Sequence, residues 1–337
     1  MPRVCRGGGP ATLTGMCPIP GDLFAIGLDP DDAHGYGAIA RAAAALAERT
    51  GRLDEAGAWA GRQVAARCFI IGFGNETQRA TLLPRLARGD ALLAVAISEP
   101  AVGAHPKHLT TRAEPDGAGM RISGRKAWVS NGPDASHFIV LAISAIDGER
   151  KRYSAFLVPR ETPGLTLRPM PGLHDGRHCL LDLDACRVPH DALLGPPDRA
   201  YETMALPFRD VEDAVGLSKL AGAFRHMLTR LATGEPTPEA NLSLGGLAGL
   251  TAVLAGGAEA IAAALDSGRL ADEGACLVGL RLLVADLLDR VRAHIETHGP
   301  VIGATMDEML ADLDLSLSIA RGPRLTRQAR LGAALRG

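Results

Sequence analysis

Ser98-Glu99-Pro100-Ala101-Val102-Gly103 and Gly124-Arg125-Lys126-Ala127-Trp128-Val129-Ser130-Asn131-Gly132 are the two stretches that decide the fold. Around them, short apolar runs alternate with turn signals at Asp116-Gly117, Asn131-Gly132 and Asp147-Gly148. Turn residues at this spacing are typical of an antiparallel β domain. We therefore expect a β region around these two stretches.

The strand candidates follow one another through this region. A short apolar run at 91–97 marks the start of the region, and the strand candidates are 120–123, 126–130, 138–144, 153–159, 165–170 and 178–185. Residues 191–197 are interpreted as the exit from the β region.

Helical patterns lie on both sides of the strands. Before them are 38–47, 59–71 and a stretch over 75–86 for which Asn75 is a good cap; after them are 201–232, 244–265, 273–298 and 306–335. The sequence therefore predicts a multidomain α+β protein. Its parts are an N-terminal helical domain over 1–92, a central antiparallel β-barrel or β-sandwich domain over 93–197, and a C-terminal helical bundle over 198–337.

Composition excludes several classes of function. The formal net charge of the 337 residues is -2 and no block of basic residues stands out, which argues against nucleic acid and anionic membranes as partners. The six cysteines form no CxxC pair, so neither a metal site nor a disulfide framework is expected, and a cytoplasmic location fits best. The start does not resemble a signal peptide, and we expect no run long enough to span a bilayer. His174, Arg177 and His178 lie close together, but their spacing favours a hairpin over a metal site.

The two opening stretches resemble signatures of the acyl-CoA dehydrogenases. Residues 98–103 are similar to the Thr-Glu-Pro-x-Ala-Gly-Ser-Asp motif of that family, and 124–132 to its Gly-x-Lys-x-Trp-Ile-Ser/Thr-Asn-Gly motif. Similar segments follow in family order at 155–158, 162–165, 186–189 and 193–195, and another precedes them at 72–78. The resemblance is strong over about residues 60 to 197, and 298–307 looks like a worn copy of the family's C-terminal Gly-Gly-x-Gly-x-x-x-Glu segment.

The resemblance implies an FAD cofactor held by the two stretches, which would form two walls of one slot for the isoalloxazine ring. A flavin needs polar partners for its edge and an apolar or aromatic wall for its faces. Gly103 would allow close approach to a phosphate-bearing ligand because it has no Cβ. By the resemblance, the edge is lined by Ile97 and Ser98, and the ring lies beside Trp128, Val129 and Ser130. Ordinary strand packing of Trp128 is the alternative.

The resemblance also implies a catalytic carboxylate. Asp307 falls at the position of the family's base, and Glu308 follows it immediately. Either could remove the α-proton of an acyl thioester. The alternative is a helix start, in which Thr305 and Glu308 form a capping box and Asp307 favours the helix dipole.

The substrate residues depart from the family pattern. Where the family has Ser-Asp after the glycine, this chain has Ala104-His105, which removes a hydroxyl expected near the ligand. Asp210 falls in register with a family aspartate that meets CoA, but Asp213 stands where the pattern has an arginine. The family's Arg-x-x-Phe-Gly turn is missing from 233–245, so one charge-assisted contact to the FAD diphosphate is lost.

The sequence thus predicts an FAD-dependent acyl-CoA or acyl-thioester dehydrogenase of fatty acid metabolism, an oxidoreductase acting on CH–CH bonds. Its acceptor would be an electron-transferring flavoprotein, and the family implies a homo- or hetero-oligomer. Two alternatives stay open. The chain could be a degenerate subunit that completes the cofactor pocket of a partner, or a scaffold that keeps the fold without the chemistry.

Overall fold

The helices before the sheet form as the sequence predicts. The structure is a computed structural model that describes residues 20–170, 177–233, 236–300 and 302–336. After a short 3₁₀ turn at Gly21–Ala25 come α1 (Gly35–Thr50), α2 (Leu53–Ala65), a π-helical continuation at Ala66–Ile71, and α3 (Glu76–Arg88). The predicted cap of α3 is present, because the Asn75 side chain accepts a hydrogen bond from Gln78 N at 2.8 Å and Asn75 N donates to Gln78 Oε1 at 2.9 Å.

The strands join into one sheet. They are β1 (Leu93–Ala96), β2 (Arg112–Asp116), β3 (Gly119–Ser130), β4 (His137–Asp147), β5 (Arg150–Pro159), β6 (Leu165–Pro169), β7 (His178–Pro189) and β8 (Leu193–Leu194). Their order is β6-β7-β3-β2-β4-β5-β8, and β1 pairs with β4. Most neighbours are antiparallel, as predicted, but β1 and β2 each pair with β4 in parallel, so the sheet is mixed.

The candidates 120–123 and 126–130 are one strand, β3, rather than two. Between them lies Gly124 with φ +150°, where an added Cβ would lie 2.5 Å from Thr111 Oγ1. The glycine therefore permits an irregularity without ending the strand. β2 and β8 were not among the sequence predictions.

In the described part of the chain after the sheet there are five α-helices and a short 3₁₀ helix at Leu270–Glu273. The α-helices are α4 (Leu206–Leu231), which continues a π-helical turn at Tyr201–Ala205, α5 (Pro238–Asp266), α6 (Gly274–His298), α7 (Ala304–Ser318) and α8 (Arg321–Ala334). The predicted last segment, 306–335, is therefore wrong as one helix. It breaks at Ala320, whose φ is +53°.

The chain divides into two compact units. The sheet unit comprises the described parts of 1–30 and 65–208, and the helical unit comprises 31–64 with the described parts of 209–337. Each has its own apolar core: the first is built from β-strand side chains such as Phe138 and Leu181, and the second from helix side chains such as Phe224 and Val284. Helices α1 and α2 thus group with the C-terminal helices, whereas the three predicted domains and the two boundaries between them stay a prediction.

Helix α5 corrects the expectation that no run is long enough to span a bilayer. By length and composition it could cross a membrane. Residues along it, including Leu247, Leu254 and Ile261, are nevertheless buried in the core of the helical unit. Among the described residues, it is the one helix that meets this criterion.

Replacing Asn75 by alanine should lower the free energy of unfolding by about 1 kcal/mol, because the first turn of α3 loses its side-chain acceptor. Chemical denaturation followed by circular dichroism measures the change. The exposed residue Thr81, in the middle of the same helix, provides the control, and Thr81→Ala should cause no loss. Equal stability of the Asn75→Ala protein and the wild type would show that the cap does not stabilise the helix.

Candidate functional site

The two stretches quoted first lie side by side in the sheet unit. Ala127 N donates a hydrogen bond to the Ser98 carbonyl oxygen at 2.9 Å. Lys126 Nζ donates to the Ile97 carbonyl oxygen at 3.1 Å. The predicted meeting of the two stretches is therefore present, although these two carbonyl oxygens already have partners within the protein.

A buried ion pair fixes this meeting point. Lys126 Nζ lies 3.0 Å from Glu99 Oε1, and the two side chains are 0% and 4% exposed. Thr110 N and Oγ1 donate to the other carboxylate oxygen at 2.8 and 2.7 Å, and Thr111 N donates to Oε1 at 2.9 Å. Every carboxylate oxygen of Glu99 thus accepts a hydrogen bond, which a buried charge requires.

The environment shifts both pKa values of the pair. Burial alone would raise the pKa of Glu99, but the charge of Lys126 and the hydrogen bonds from Thr111 and Thr110 hold it at about 2. Burial lowers the pKa of Lys126, and Glu99 partly opposes that shift. Because the carboxylate is ionised and enclosed, we regard Glu99 as an anchor of the site.

Gly103 closes a tight turn beside this pair. Glu99 N donates to the Gly103 carbonyl oxygen at 2.9 Å, and Gly103 N donates back to the Glu99 carbonyl oxygen at 3.0 Å. The φ of Gly103 is +60°, and no atom lies within 4 Å of the position a Cβ would take. A ligand can therefore approach the backbone closely here, as the sequence predicts.

Trp128 presents its ring to a cleft. Its φ is +59°, and the pairing of β3 with β7 shifts register between Lys126 and Val129. The irregularity leaves the side chain 51% exposed, with its ring edge-on to His178 at 6.5 Å. A cleft of about 490 Å³ opens beside it, lined by Pro100, Ala101, Gly103, Arg125, Ala127, Trp128, Arg168, Met170 and Leu180. Ordinary strand packing therefore does not account for Trp128, because a packed strand tryptophan would be buried.

Val129 and Ser130 differ from Trp128 in where their side chains lie. The side chain of Val129 is 0% exposed and packs in the core of the sheet unit, so only its backbone could lie beside a ring. Ser130 is exposed and pairs with His178 across β3 and β7. Ser98 is half-buried.

Two arginines on the cleft share one carboxylate. Arg125 Nε and Arg168 Nε each lie 2.5 Å from an oxygen of Asp182. Burial opposes ionisation of this carboxyl, but hydrogen bonds from Arg168 and Arg125 outweigh it and lower the pKa of Asp182. Within the described residues, the terminal nitrogens of both arginines make no hydrogen bond, so they remain available to an anion.

Three predicted substrate and base residues lie on the surface. Ala104 is exposed, and its carbonyl oxygen accepts a hydrogen bond from Tyr201 at 3.1 Å. Asp307 is exposed in the first turn of α7, and Glu308 is exposed directly after it, next to the buried Met306. The predicted capping box of Thr305 and Glu308 is wrong, because the helix begins at Ala304 after Gly303, with no side-chain cap. The position of Asp307 in the first turn, which favours the helix dipole, is as that alternative predicts.

Asp210 and Asp213 lie on α4 among arginines. Asp210 is half-buried and pairs with Arg327. Asp213 lies 2.6 Å from Arg281, 2.7 Å from Arg324 and 3.6 Å from Arg327. Burial would raise its pKa, but the three arginines lower it. Asp213, which stands where the family pattern has an arginine, therefore has its negative charge compensated by neighbouring arginines. The sequence did not indicate this compensation.

Glu212 and Lys219 are functional candidates that the sequence reasoning missed. Both line a cavity of about 190 Å³ in the helical unit. The surrounding protein raises the pKa of Glu212 to about 7 by desolvation, which Lys219 opposes and Asp213 reinforces. A carboxylate with a pKa near neutrality suits a general base. The signal in the sequence was their spacing of seven residues, which places them on one helix face.

No metal site emerges from the described residues. They contain no group of three or more His, Cys, Asp or Glu side chains that could hold an ion. His174 lies outside them, and His178 packs against Trp128. Cys179 and Cys186 are buried thiols in the sheet, where burial raises the pKa of each, so both pack as expected of strand residues.

The sequence of this chain is similar to those of known proteins. The family model for the acyl-CoA dehydrogenase middle domain matches residues 94–186. The mitochondrial short-chain specific acyl-CoA dehydrogenase of Homo sapiens is 31% identical over 178 residues, which cover 50% of this chain and 43% of that protein. The chain thus spans less than half the length of this curated relative.

Two solved structures are similar over most of the chain. A putative acyl-CoA dehydrogenase from Mycobacterium abscessus has a TM-score of 0.71 at 20% identity, covering 97% of this chain and 90% of that one. A glutaryl-coenzyme A dehydrogenase in complex with glutaryl-CoA has a TM-score of 0.71 at 19% identity, covering 87% and 77%. These likenesses confirm the predicted fold class.

Replacing Glu99 by glutamine should lower the free energy of unfolding by about 3–5 kcal/mol, because Lys126 would stay buried without a countercharge. Denaturant unfolding measures the loss. Glu114, whose exposed carboxylate pairs with Arg121, is the matched control, and Glu114→Gln should cost about 0–1 kcal/mol. Similar losses in the two variants would contradict the anchoring role.

The same pair should make stability depend on acid pH. The pKa of Glu99 is about 2 in the folded protein and near 4.5 when unperturbed, so its contribution is complete above about pH 4.5 and is lost as the pH falls toward 2. The stability difference between the wild type and the Glu99→Gln variant should therefore shrink below pH 4.5. A difference that stays constant from pH 7 to pH 3 would exclude this linkage.

Proposed function

We propose that this chain, which is similar to the acyl-CoA dehydrogenases in its middle domain and in its fold, is an FAD-dependent dehydrogenase that introduces an α,β double bond into an acyl thioester. The single observation that carries the proposal is the pairing of residues 98 and 127. It aligns the two family-like stretches along one cleft, beside the half-exposed ring of Trp128.

The residues of the cleft fit a flavin. The ring of Trp128 supplies an aromatic wall, and the open backbone at Gly103 admits a bulky ligand. Ser98 and Ser130 would offer their hydroxyls to the ring edge, whereas Ile97 and Val129, whose side chains are apolar, would contribute backbone alone. The chemistry that a bound flavin supplies is acceptance of the hydride that leaves the β-carbon.

Arg125 and Arg168 would hold the diphosphate of the cofactor. Each arginine uses only its Nε on Asp182, so four terminal guanidinium nitrogens can donate to phosphate oxygens. Two arginines and one carboxylate leave a local charge of +1. They would replace the arginine that the family supplies from the Arg-x-x-Phe-Gly turn, which 233–245 lacks.

Three carboxylates are candidates for the base that removes the α-proton. The family alignment proposes Asp307, or Glu308 beside it. Glu212 is the third, because its carboxylate lines a cavity and has a pKa raised to about 7. Near neutral pH such a group is partly ionised and can both accept and release a proton. All three side chains are exposed, and we place Glu212 first because it also lines a cavity.

The substrate would be an acyl-CoA or a carrier-bound thioester, and Ala104 and Asp210 are the residues that the family alignment assigns to it. An electron-transferring flavoprotein would reoxidise the flavin, within fatty acid metabolism in the cytoplasm. Homo- or hetero-oligomerisation belongs to the same proposal, and neither nucleic acid nor a membrane is proposed as a partner.

A degenerate subunit is the second candidate, because specific residues of the family pattern are replaced. Asp213 stands in place of an arginine, Ala104-His105 replaces Ser-Asp, and the Arg-x-x-Phe-Gly turn is missing. Such a chain would complete the cofactor pocket of a partner and would contribute no base. A scaffold that keeps only the fold is the third reading, and the open cleft beside Trp128 argues against it.

Protein purified alone should contain FAD, and Trp128→Ala should weaken FAD binding about tenfold by removing the aromatic wall. Absorbance in the flavin bands and fluorescence titration of the apoprotein measure content and affinity. Trp128→Phe keeps a flat ring and should bind FAD nearly as the wild type does. Colourless protein that acquires flavin only when coproduced with a related subunit would support the second candidate, and protein that never binds flavin would support the scaffold.

In flavin-containing protein, Glu212→Gln should reduce the rate of thioester desaturation about 100-fold or more, because a positioned base contributes roughly that factor. Asp307→Asn and Glu308→Gln should then change the rate by less than about threefold. Reduction of the bound flavin under anaerobic conditions measures the chemical step directly. A large loss of rate in Asp307→Asn with none in Glu212→Gln would identify Asp307 as the base, as the family alignment indicates.

A further inference from the structure

The cavity of the helical unit is lined by many charged side chains. Its wall comes from α2, α4, α6, α7 and α8 and the turn between the last two. The charged side chains that line it are Arg209, Lys219, Arg281, Arg324 and Arg327, with Asp210, Glu212 and Asp213. Asp54 and Asp312 also face Lys219, so five cations meet five carboxylates and the formal charges balance. The attraction for an anion therefore comes from cationic donors that lack a close partner of their own.

Arg281 is held rigidly with one donor unused. Its Nη2 donates to the carbonyl oxygen of Asp213 at 3.0 Å and to Oδ1 of the same residue at 2.6 Å. Its Nε is buried and has no hydrogen-bond partner in the described residues. A buried donor without an acceptor is unfavourable, and such a donor marks a position where a ligand acceptor fits.

Lys219 brings a second cation to the same place. Its ammonium lies so close to Gly57 that an added Cβ there would be 2.7 Å from Nζ. It makes no hydrogen bond or close ion pair with any described residue. The charges that face it are Arg281 on α6, Asp312 on α7, Asp54 on α2 and Glu212 on its own helix.

The two cations destabilise one another without an anion. Burial and then the neighbouring charge of Arg281 lower the pKa of Lys219 to about 8, although the surrounding carboxylates oppose the shift. An acceptor with a negative charge, placed between Arg281 Nε and Lys219 Nζ, would satisfy both donors and relieve their repulsion.

The size and lining of the cavity restrict the ligand. At about 190 Å³ it is smaller than the usual pocket for a drug-sized ligand, so a nucleotide is too large. The apolar part of its wall includes Ala60, Val64 and Val215. A carboxylate has two oxygens for two donors, and a short aliphatic chain suits the apolar wall.

We propose that this cavity binds the carboxylate of a short aliphatic acid through Lys219 and Arg281. The carboxylate has two possible sources. It belongs either to a free dicarboxylic acid, or to the far end of an acyl chain whose other end is the thioester. The second source rests on the proposed function, and the first does not.

Glutarate is the probe for the free acid, with pentane-1,5-diol as its uncharged analogue and inorganic phosphate as a different anion. Calorimetric titration of the wild type should show saturable binding of glutarate alone. Equal binding of the diol, equal binding of phosphate, or no binding of any carboxylate probe, including the thioester below, would overturn the proposal.

Two variants test the residues. Arg281→Lys keeps a positive charge beside Asp213 but removes Nε, and Lys219→Gln removes the second cation; each should weaken glutarate binding at least tenfold. Arg225 lies on the same helix as Lys219 and pairs with Glu48 on the exposed surface, so Arg225→Gln should leave binding unchanged. Unchanged binding in both cavity variants would overturn the assignment without requiring any flavin measurement.

The source is settled by comparing two CoA thioesters of equal chain length, one with a distal carboxylate and one with a methyl end. Tighter binding of the first by tenfold or more, lost in Lys219→Gln, assigns the site to the acyl chain. Binding of glutarate without this preference assigns it to a free acid. Because the glutarate titration needs neither flavin nor turnover, absence of FAD would refute the proposed function and leave the carboxylate site standing.

Discussion

The buried pair of Lys126 and Glu99 is the interaction on which the candidate cofactor site depends. Removing two charges from water is costly, and the cost is offset only when the remaining lone pairs also find partners. Thr110 and Thr111 supply those partners, so the carboxylate is held from two directions. As a result, the turn at 99–103 and strand β3 occupy fixed positions relative to each other within the sheet unit.

This rigidity explains why Trp128 can be both strained and exposed. A bulky residue with positive φ is unfavourable, and it persists only where the surrounding structure determines the backbone firmly. On either side of Trp128, Ala127 and Val129 are buried, and Ala127 is tied to Ser98. The strand therefore holds the ring out over the cleft.

Much of the fold could be predicted from the sequence, because local patterns determine it. The helical spacing of apolar residues and the cap at Asn75 predicted the positions of the helices, and turn residues predicted those of most strands. The exceptions have physical causes. Strand β2 reads Arg-Ala-Glu-Pro-Asp, which is too polar to resemble a strand, and it forms because β3 and β4 lie on either side of it. The break at Ala320 is followed closely by Gly322 and Pro323, a helix-breaking pair that the prediction of one helix over 306–335 overlooked.

The candidate site, too, could be predicted from the sequence only in part. Family-like motifs located the cleft, but alternation along β3 and its irregularity decided that Val129 faces the core while Trp128 faces outward. The cavity of the helical unit was missed because Glu212, Lys219 and Arg281 come from two helices far apart in sequence, and their significance arises from tertiary packing. The same packing surrounds Asp213 with three arginines, so the charge of a single aligned residue was a poor guide to the local potential.

The distribution of the two tryptophans has an optical consequence. Trp59 is 1% exposed in the helical unit, whereas Trp128 is half open to solvent in the sheet unit. Indole emission shifts to longer wavelength in a polar environment, so the two fluorophores differ in colour and in access to dissolved quenchers. Each unit of this molecule therefore carries one tryptophan, and changes near the cleft can be followed separately from changes in the helical core without attaching a label.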